Sequence, residues 1–219
     1  MARLPRIVVP DCPHQVTQQG VRSIAIFRHD GDYKAYLDFM AGEAASYGVE
    51  ILAWCLMRDH VHLVAVPPDE VALARAIGNA HRQYTRMRNF DEGVRGYLFQ
   101  GRFSSCALDE RHLVAAARYA ELDPVVARTV RHAWDYEWSS AAFHVGERRR
   151  DPLVKDRSLA GLAKDWKKML AEKDDEAEKT LLLCTRTGRP AGSDRFILKL
   201  EKLTGLRLRK GKPGPKPRA

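Results

Sequence analysis

The chain has 219 residues, 45% of them hydrophobic, and a formal net charge of +9. This length fits one domain of ordinary size with an extension, and the apolar content is sufficient for a packed core. No apolar run is long enough to span a membrane, and the N-terminus has no signal-peptide pattern. The four cysteines form no C-x-x-C pair, which argues against a disulfide scaffold or zinc ribbon and suits a reducing cytoplasm.

Positive charge is concentrated at the C-terminal end. Residues 195–219 contain nine basic residues and one acidic residue, which gives them a net charge of +8. The last stretch, RLRKGKPGPKPRA, is typical of a disordered tail. It indicates either a solubilising terminus or a contact with nucleic acid or another polyanion, for which the candidates are Arg207, Arg209 and Lys210.

The first elements are a strand pair and a helix. Residues 8–27 predict a strand, a turn at Gln19-Gly20 and a second strand at residues 23–27. A helix then starts near Asp30 and ends at Gly48. Its apolar residues recur at helical spacing and predict a face toward the core: Tyr33, Leu37, Met40, Ala44 and Tyr47.

Two strands at the centre of the sequence carry a His-x-His pair. Residues 49–56 and 60–66 are rich in β-branched and large apolar side chains, and Pro67 ends the second run. Alternate residues of a strand share a face, so His60 and His62 lie side by side. The pair is either packed or exposed without a ligand, or it binds a divalent metal with a third ligand from elsewhere in the chain.

A second amphipathic helix follows, with an arginine stripe. Its apolar positions are Leu73, Ile77, Ala80, Tyr84 and Met87. The other face carries Arg75, Arg82 and Arg86, with Arg88 nearby, and is either solvated or in contact with a phosphate backbone. The next stretch, GYLFQGRFSS, contains Arg102; its composition favours a β-hairpin edge with buried aromatics over a surface that stacks bases.

A third helix contains a candidate nucleophile. Asp109 is its predicted cap, residues 110–123 form it, and Pro124 ends it. Tyr119 and Asp123 are one turn apart and share a face, with His112 on the same side. The ordinary alternatives are a packed aromatic for Tyr119 and a helix-end carboxylate for Asp123. Two histidines, a tyrosine and a carboxylate together favour a functional site.

The remaining chain predicts a short aromatic closing segment and then helices. Residues 134–143 close the domain with aromatics and a short helix, and the mixed charges of residues 147–179 predict exposed helix. The sequence TGRP at residues 187–190 breaks the chain before an amphipathic helix at residues 193–203. We therefore predict a domain at residues 1–146, a helical extension at 147–206 and a basic tail at 207–219.

This order of elements predicts an α+β fold with an antiparallel sheet of ferredoxin-like type and helices packed on it. On that scaffold four segments resemble, in order and spacing, the signatures of the single-tyrosine HUH transposases of small insertion sequences. They are MRDHVHLV at residues 57–64, FQGRF at 99–103, RYAELDPV at 118–125 and DYEWSS at 135–140. The basic extension is similar to the branch called REP-associated tyrosine transposases.

The resemblance implies a chemistry and a substrate. His60, His62 and Asp123 would hold Mg²⁺ or Mn²⁺, and Tyr119 would attack a phosphate of single-stranded DNA beside a short hairpin. The family usually has asparagine or glutamine where this chain has Asp123. The candidates for DNA contacts are Arg75, Arg82, Arg86, Arg102, Arg118, Arg207, Arg209 and Lys210. Such an enzyme would work in the cytoplasm, at the nucleoid, as a monomer or a homodimer.

Two other classes of function compete with a nicking and rejoining enzyme. A nucleic-acid-binding regulator could keep the fold and lose the chemistry, and the departure at Asp123 leaves room for it. An RNA-binding module ranks last because the sequence has no RNP-type aromatic signature.

Overall fold

The computed structural model describes residues 6–157, 159–172 and 174–209. Its centre is a four-stranded antiparallel sheet in the order β2-β3-β1-β4. The strands are β1 at His14–Gln19, β2 at Glu50–Met57, β3 at His60–Val66 and β4 at Ser104–Ala107. Residues 210–219, which include Lys210 and most of the predicted disordered tail, lie outside the described residues.

Seven α-helices accompany the sheet in the described ranges. They are α1 at Asp30–Ser46, α2 at Ala72–Asp91, α3 at Glu110–Val126, α4 at Ala141–His144, α5 at Trp166–Ala171, α6 at Asp175–Thr187 and α7 at Asp194–Thr204. The order β1-α1-β2-β3-α2-β4 with this strand order is the ferredoxin-like arrangement, so the predicted fold class is confirmed. No helix in these ranges is long and apolar enough to cross a bilayer.

The alternation of β3 divides the molecule into two layers. Val61, Leu63 and Ala65 point to one side, where they share a hydrophobic cluster with α1 and α2. Val64 points to the other side, where the cluster contains the apolar line of α3. His60 and His62 share the face of Val64, and the α3 layer therefore covers the two histidines.

The C-terminal extension packs into the α3 layer. Trp166, Met169 and Leu170 of α5 and Leu181 of α6 belong to the same cluster as Leu113 of α3. The prediction of exposed helix throughout residues 147–179 is wrong. Residues 147–157 and 159–165 are mostly irregular, and the apolar Leu153 and Val154 are buried in the cluster that also contains side chains of α1. The domain division at residue 146 stays a prediction.

The segment predicted as a second strand, residues 23–27, is instead an irregular loop. Ile26 and Phe27 are both buried, so this stretch cannot alternate between two faces. Their backbone N–H groups donate to the carbonyl of Arg58 at 2.7 and 3.0 Å, which satisfies them without a strand partner. The loop thereby packs under the β2–β3 turn.

Two further boundaries differ from the sequence prediction. Helix α3 continues past Pro124 to Val126, because the N–H of Ala127 still bonds the carbonyl of Asp123 at 2.8 Å. Residues 96–105, predicted as a hairpin edge, instead belong to a crossing loop at residues 94–103 that leads into β4, with one antiparallel bridge from Phe99 to Gly20. Phe99 and Phe103 are buried, as predicted, and β4 forms the edge of the sheet.

Candidate metal centre and tyrosine

His60 and His62 present their rings from the start of β3. The ring centroids are 5.0 Å apart and nearly perpendicular. His62 is buried, and the side chain of His60 is 21% exposed. The pair therefore opens to solvent on the His60 side.

Asp123 approaches the pair from the last turns of α3. Its Oδ2 lies 2.6 Å from Nε2 of His60 and 3.3 Å from Nε2 of His62. The potential ligand atoms of the three residues lie within 4.8 Å of one another. The structure thus brings together the three residues that the sequence analysis proposed as metal ligands.

Tyr119 lies one helical turn before Asp123 and faces the same cluster. Its ring centroid is 5.2 Å from that of His62, in an edge-on arrangement. Burial raises the pKa of the half-buried phenol, and the charges of Asp123 and Glu178 raise it further. A phenolate here needs a positive charge to form near neutral pH.

The protonation states suit metal binding. Burial raises the pKa of Asp123, but hydrogen bonds to His60 and His62 outweigh it and hold the pKa well below its usual range. Burial lowers the pKa of His62, which keeps that ring neutral. Burial also lowers the pKa of His60, but hydrogen bonds to Asp123 and Asp59 reverse this and raise it. One carboxylate and at least one neutral imidazole are thus present without a metal.

Two outer contacts orient the imidazoles, and the sequence analysis missed both. Oδ1 of Asp59 lies 2.7 Å from Nδ1 of His60, and Oγ1 of Thr17 lies 3.2 Å from Nδ1 of His62. Each contact occupies the ring nitrogen remote from Asp123 and leaves Nε2 directed at the cluster. Such contacts are usual around metal-binding histidines, so the donor set fits a divalent ion. Asp59 is adjacent in sequence, whereas Thr17 is opposite His62 only once β1 pairs with β3.

His112 does not join the cluster. Its Nδ1 lies 2.6 Å from Oδ1 of Asp109, which also accepts a hydrogen bond from the His112 backbone N–H. Asp109 is therefore the N-terminal cap of α3, as predicted, and His112 is part of that cap.

The arginines predicted to contact DNA lie in three different regions of the structure. Arg82, Arg86 and Arg102 line one groove of about 760 Å³, and Arg75 is exposed earlier on α2. Arg118 lies beside Tyr119, with its Nε donating to the carbonyl of Met169 at 2.9 Å. At the C-terminal end Arg207 is exposed, and Arg209 pairs with Glu201 at 2.9 Å.

Comparisons with known proteins identify the family. The sequence model described as "Transposase IS200 like" matches residues 14–122. This range runs from β1 into α3 and contains His60, His62 and Tyr119. Among curated proteins, none matches the sequence significantly.

A solved structure with a TM-score above 0.5 shows the same fold, and two others give weaker matches. A REP-associated tyrosine transposase bound to a REP hairpin has a TM-score of 0.57 and 16% identity, over 72% of this chain and 94% of that chain. A putative transposase from Deinococcus radiodurans has a TM-score of 0.37 and 20% identity, over 55% and 96% of the two chains. A bacterial tRNA(His) guanylyltransferase-like protein has a TM-score of 0.35 and 11% identity, over 57% and 71%. The fold match to the first agrees with the family model, and this chain belongs to the IS200-like transposases, the single-tyrosine HUH family that acts in DNA transposition.

Proposed function

We propose that this protein cleaves and rejoins single-stranded DNA through a 5′-phosphotyrosine intermediate, with a divalent metal as cofactor. The observation that carries the proposal is the convergence on one point of Nε2 of His60, Nε2 of His62, Oδ2 of Asp123 and the ring of Tyr119. A tyrosine next to a hard-ion site in a transposase is suited to attack on a phosphodiester.

The reaction exchanges one phosphoester bond for another. The phenol oxygen of Tyr119 attacks the phosphorus, and the bond to the 3′ oxygen breaks. The proton released by the phenol balances the proton that the 3′ oxygen takes up. A second 3′-hydroxyl then attacks the phosphotyrosine, restores a phosphodiester and frees Tyr119, so rejoining needs no external energy source.

The metal ligands would be His60, His62 and Asp123, and the ion Mg²⁺ or Mn²⁺. When bound, the ion would polarise the scissile phosphate and offset charge in the transition state. Asp123 supplies a full negative charge where the family usually has an amide, which favours tight binding of a hard cation. His60 lies at the rim of the site, because its side chain is the most solvent-exposed of the three proposed ligands.

The proposed substrate is single-stranded DNA beside a short hairpin, and the fold neighbour bound to a REP hairpin supports this choice. We assign the protein to the REP-associated branch as part of the proposal, and expect it at the nucleoid, where such DNA is found. The exposed arginines of α2, together with Arg102, Arg118 and the C-terminal basic residues, would contact phosphates.

Covalent capture tests the proposal. The protein is incubated with labelled hairpin DNA that carries single-stranded flanks and with Mn²⁺, and a denaturation-resistant adduct is sought. We expect an adduct in the wild type and in Tyr47→Phe, a control tyrosine at the C-terminal end of α1, and none in Tyr119→Phe or His60→Ala. An adduct that persists in Tyr119→Phe would contradict the assignment of the nucleophile. Tight binding with no adduct on a broad set of hairpins would favour the catalytically silent regulator.

A further inference from the structure

A groove lies between α2 and residues 94–103, on the opposite side of the sheet from the metal ligands. It has a volume of about 760 Å³ and an apolar floor of Leu98, Phe99 and Phe103. Its walls come from exposed positions of α2 and of the crossing loop. This volume is sufficient for one or two nucleotides, and the groove is open to solvent.

The rim of the groove is strongly positive. Arg82 and Arg86 line it from α2, and Arg95 and Arg102 line it from the loop. Within the described parts of the chain, no carboxylate lies in ion-pair range of these four side chains, whereas Arg88 on the same helix pairs with Asp32 and Glu92. Four guanidinium groups around one concavity without acidic partners are suited to bind a phosphate backbone.

Aromatic side chains lie beside these arginines. Tyr97 is 89% exposed at the edge of the groove, so its ring is accessible to a ligand. Phe99 stacks on His81 with ring centroids 4.1 Å apart and an interplanar angle of 20°. Aromatic surfaces beside a row of arginines are the combination that stacks unpaired bases in single-stranded nucleic-acid sites.

Gln18 supplies an independent sign of a ligand. It lines the groove and is only 3% exposed. Its Nε2 donates to the carbonyls of Gln19 and Gln100 at 3.1 and 3.4 Å, which fixes the orientation of the amide. Its Oε1 is buried and has no hydrogen-bond partner in the described structure. Buried acceptors of this kind are usually satisfied by water or by a ligand.

The backbone connects the groove to the metal centre. The N–H of Gln100 donates to the carbonyl of Gln19 at 2.8 Å, and Gln19 is the register partner of His60. The floor of the groove is therefore tied to the strand residue next to the first metal ligand. The groove and the metal centre therefore meet the same end of β1, from opposite sides of the sheet.

We propose that this groove holds an unpaired nucleotide of the DNA substrate, close in sequence to the phosphodiester that Tyr119 cleaves. Arg82 and Arg86 bind the phosphates on either side of it, and its base stacks on Tyr97. The inference rests on the proposed function, because it assumes that single-stranded DNA is the substrate.

Binding without chemistry tests the groove. Affinity for labelled hairpin DNA with single-stranded flanks is measured by fluorescence anisotropy in EDTA, on a Tyr119→Phe background. We expect Tyr97→Ala to weaken binding about 10-fold and Tyr97→Phe to leave it unchanged, because the ring supplies the stacking. The double variant Arg82→Gln/Arg86→Gln should reduce the salt slope, d log K/d log[salt], by about 1.4, since each single-strand phosphate contact contributes about 0.7.

A matched control and a position scan make the test specific. Arg149→Gln changes an exposed arginine outside the groove and should leave affinity and salt slope nearly unchanged. Abasic sites are placed one at a time along the flanks. At one position the abasic site should weaken binding when Tyr97 is present. The same abasic site should cause no further loss of affinity in Tyr97→Ala.

An effect of Arg149→Gln as large as that of a single groove arginine would overturn the inference. The absence of any abasic position coupled to Tyr97 would overturn it as well. Since no step depends on cleavage, a missing covalent adduct with intact coupling would refute the proposed catalysis and leave the groove assignment standing. Equal competition by free nucleotide at the same phosphate concentration would also contradict a site built for a DNA strand.

Discussion

Oδ2 of Asp123 lies 2.6 Å from Nε2 of His60, and this contact joins α3 to β3 across 63 residues of sequence. In the metal-free protein the carboxylate raises the pKa of His60 and so favours a proton on that ring. A metal ion would need the same nitrogen and the same oxygen. Proton and metal therefore compete for one pair of atoms, and metal binding should release a proton.

Replacement of Asp123 by asparagine removes the negative charge of the side chain and keeps its size and shape. Burial lowers the pKa of His60, and Asp123→Asn removes one of the two carboxylates that offset it, so we expect the substitution to lower the pKa of that imidazole. Mn²⁺ affinity should fall about 10-fold, because an oxygen ligand remains but its charge is lost. NMR titration of the metal-free protein gives the pKa, and calorimetry gives the affinity. An unchanged His60 pKa would contradict the hydrogen-bond assignment.

Thr17 should matter for metal binding although it is not a ligand. Thr17→Val removes the hydroxyl that lies 3.2 Å from Nδ1 of His62 and keeps the shape of the side chain. We expect Mn²⁺ affinity to fall about 10-fold, as is usual for outer partners of ligand histidines. The exposed Thr129→Val, measured by the same calorimetry, should have no effect. Wild-type affinity in Thr17→Val would show that this contact does not orient the ring.

A buried carboxylate fixes α3 in place. Glu121 accepts hydrogen bonds from Ser140 at 2.6 Å, from Nδ1 of His144 at 2.5 Å and from Nε1 of Trp166 at 2.8 Å. Glu121→Gln turns one acceptor into a donor, and we expect it to lower the free energy of unfolding by about 2 kcal/mol. Urea denaturation measures this, with the exposed Glu172→Gln as the neutral control.

A double-mutant cycle tests whether α5 belongs to that network. Glu121→Gln and Trp166→Phe share the hydrogen bond between Oε2 and Nε1, so their costs should be less than additive by about 1 kcal/mol. Strict additivity in urea denaturation would mean that Trp166 stabilises the protein through packing alone.

Two buried histidines should make the fold acid-sensitive. Burial lowers the pKa of His14 to about 4 and that of His81 to about 3. The unfolded chain takes up a proton at each near pH 6.5, whereas the folded protein does not, so stability falls as pH drops below about 6.5. The slope should be about 1.4 kcal/mol per pH unit for each histidine. His81→Gln should remove one such contribution from urea unfolding between pH 6 and 4.5, and an unchanged slope would refute it.

The proposed catalytic residues could be predicted from the sequence because their patterns are local. The period of a strand places His60 beside His62, and the period of a helix places Asp123 one turn from Tyr119. What the sequence hides is which residue meets which across the fold. Thr17 looks like one polar residue in an alternating strand, and only the pairing of β1 with β3 puts it at His62.

Arg88 is a second residue whose contacts could not be predicted from the sequence, and here the structure shows burial where the sequence indicated an exposed position. In sequence it stands next to an arginine stripe on α2, yet in the structure it is 3% exposed. Its Nη1 lies 2.6 Å from both the carbonyl of Ile26 and Oδ2 of Asp32. Ile26 lies in the loop predicted as a strand and Asp32 in the first turn of α1, so the burial of Arg88 could not be predicted from its spacing on α2.

Because Asp123 and Tyr119 lie one turn apart on α3, the proposed nucleophile and the proposed third ligand move together with that helix. Any displacement of α3, whether by DNA, by a second protomer or by loosening of Glu121, would withdraw both at once. A fall in the affinity for Mn²⁺ would then report that Tyr119 has moved away from the two histidines. A simple metal titration could follow the position of Tyr119 through each stage of the reaction without observing the tyrosine itself.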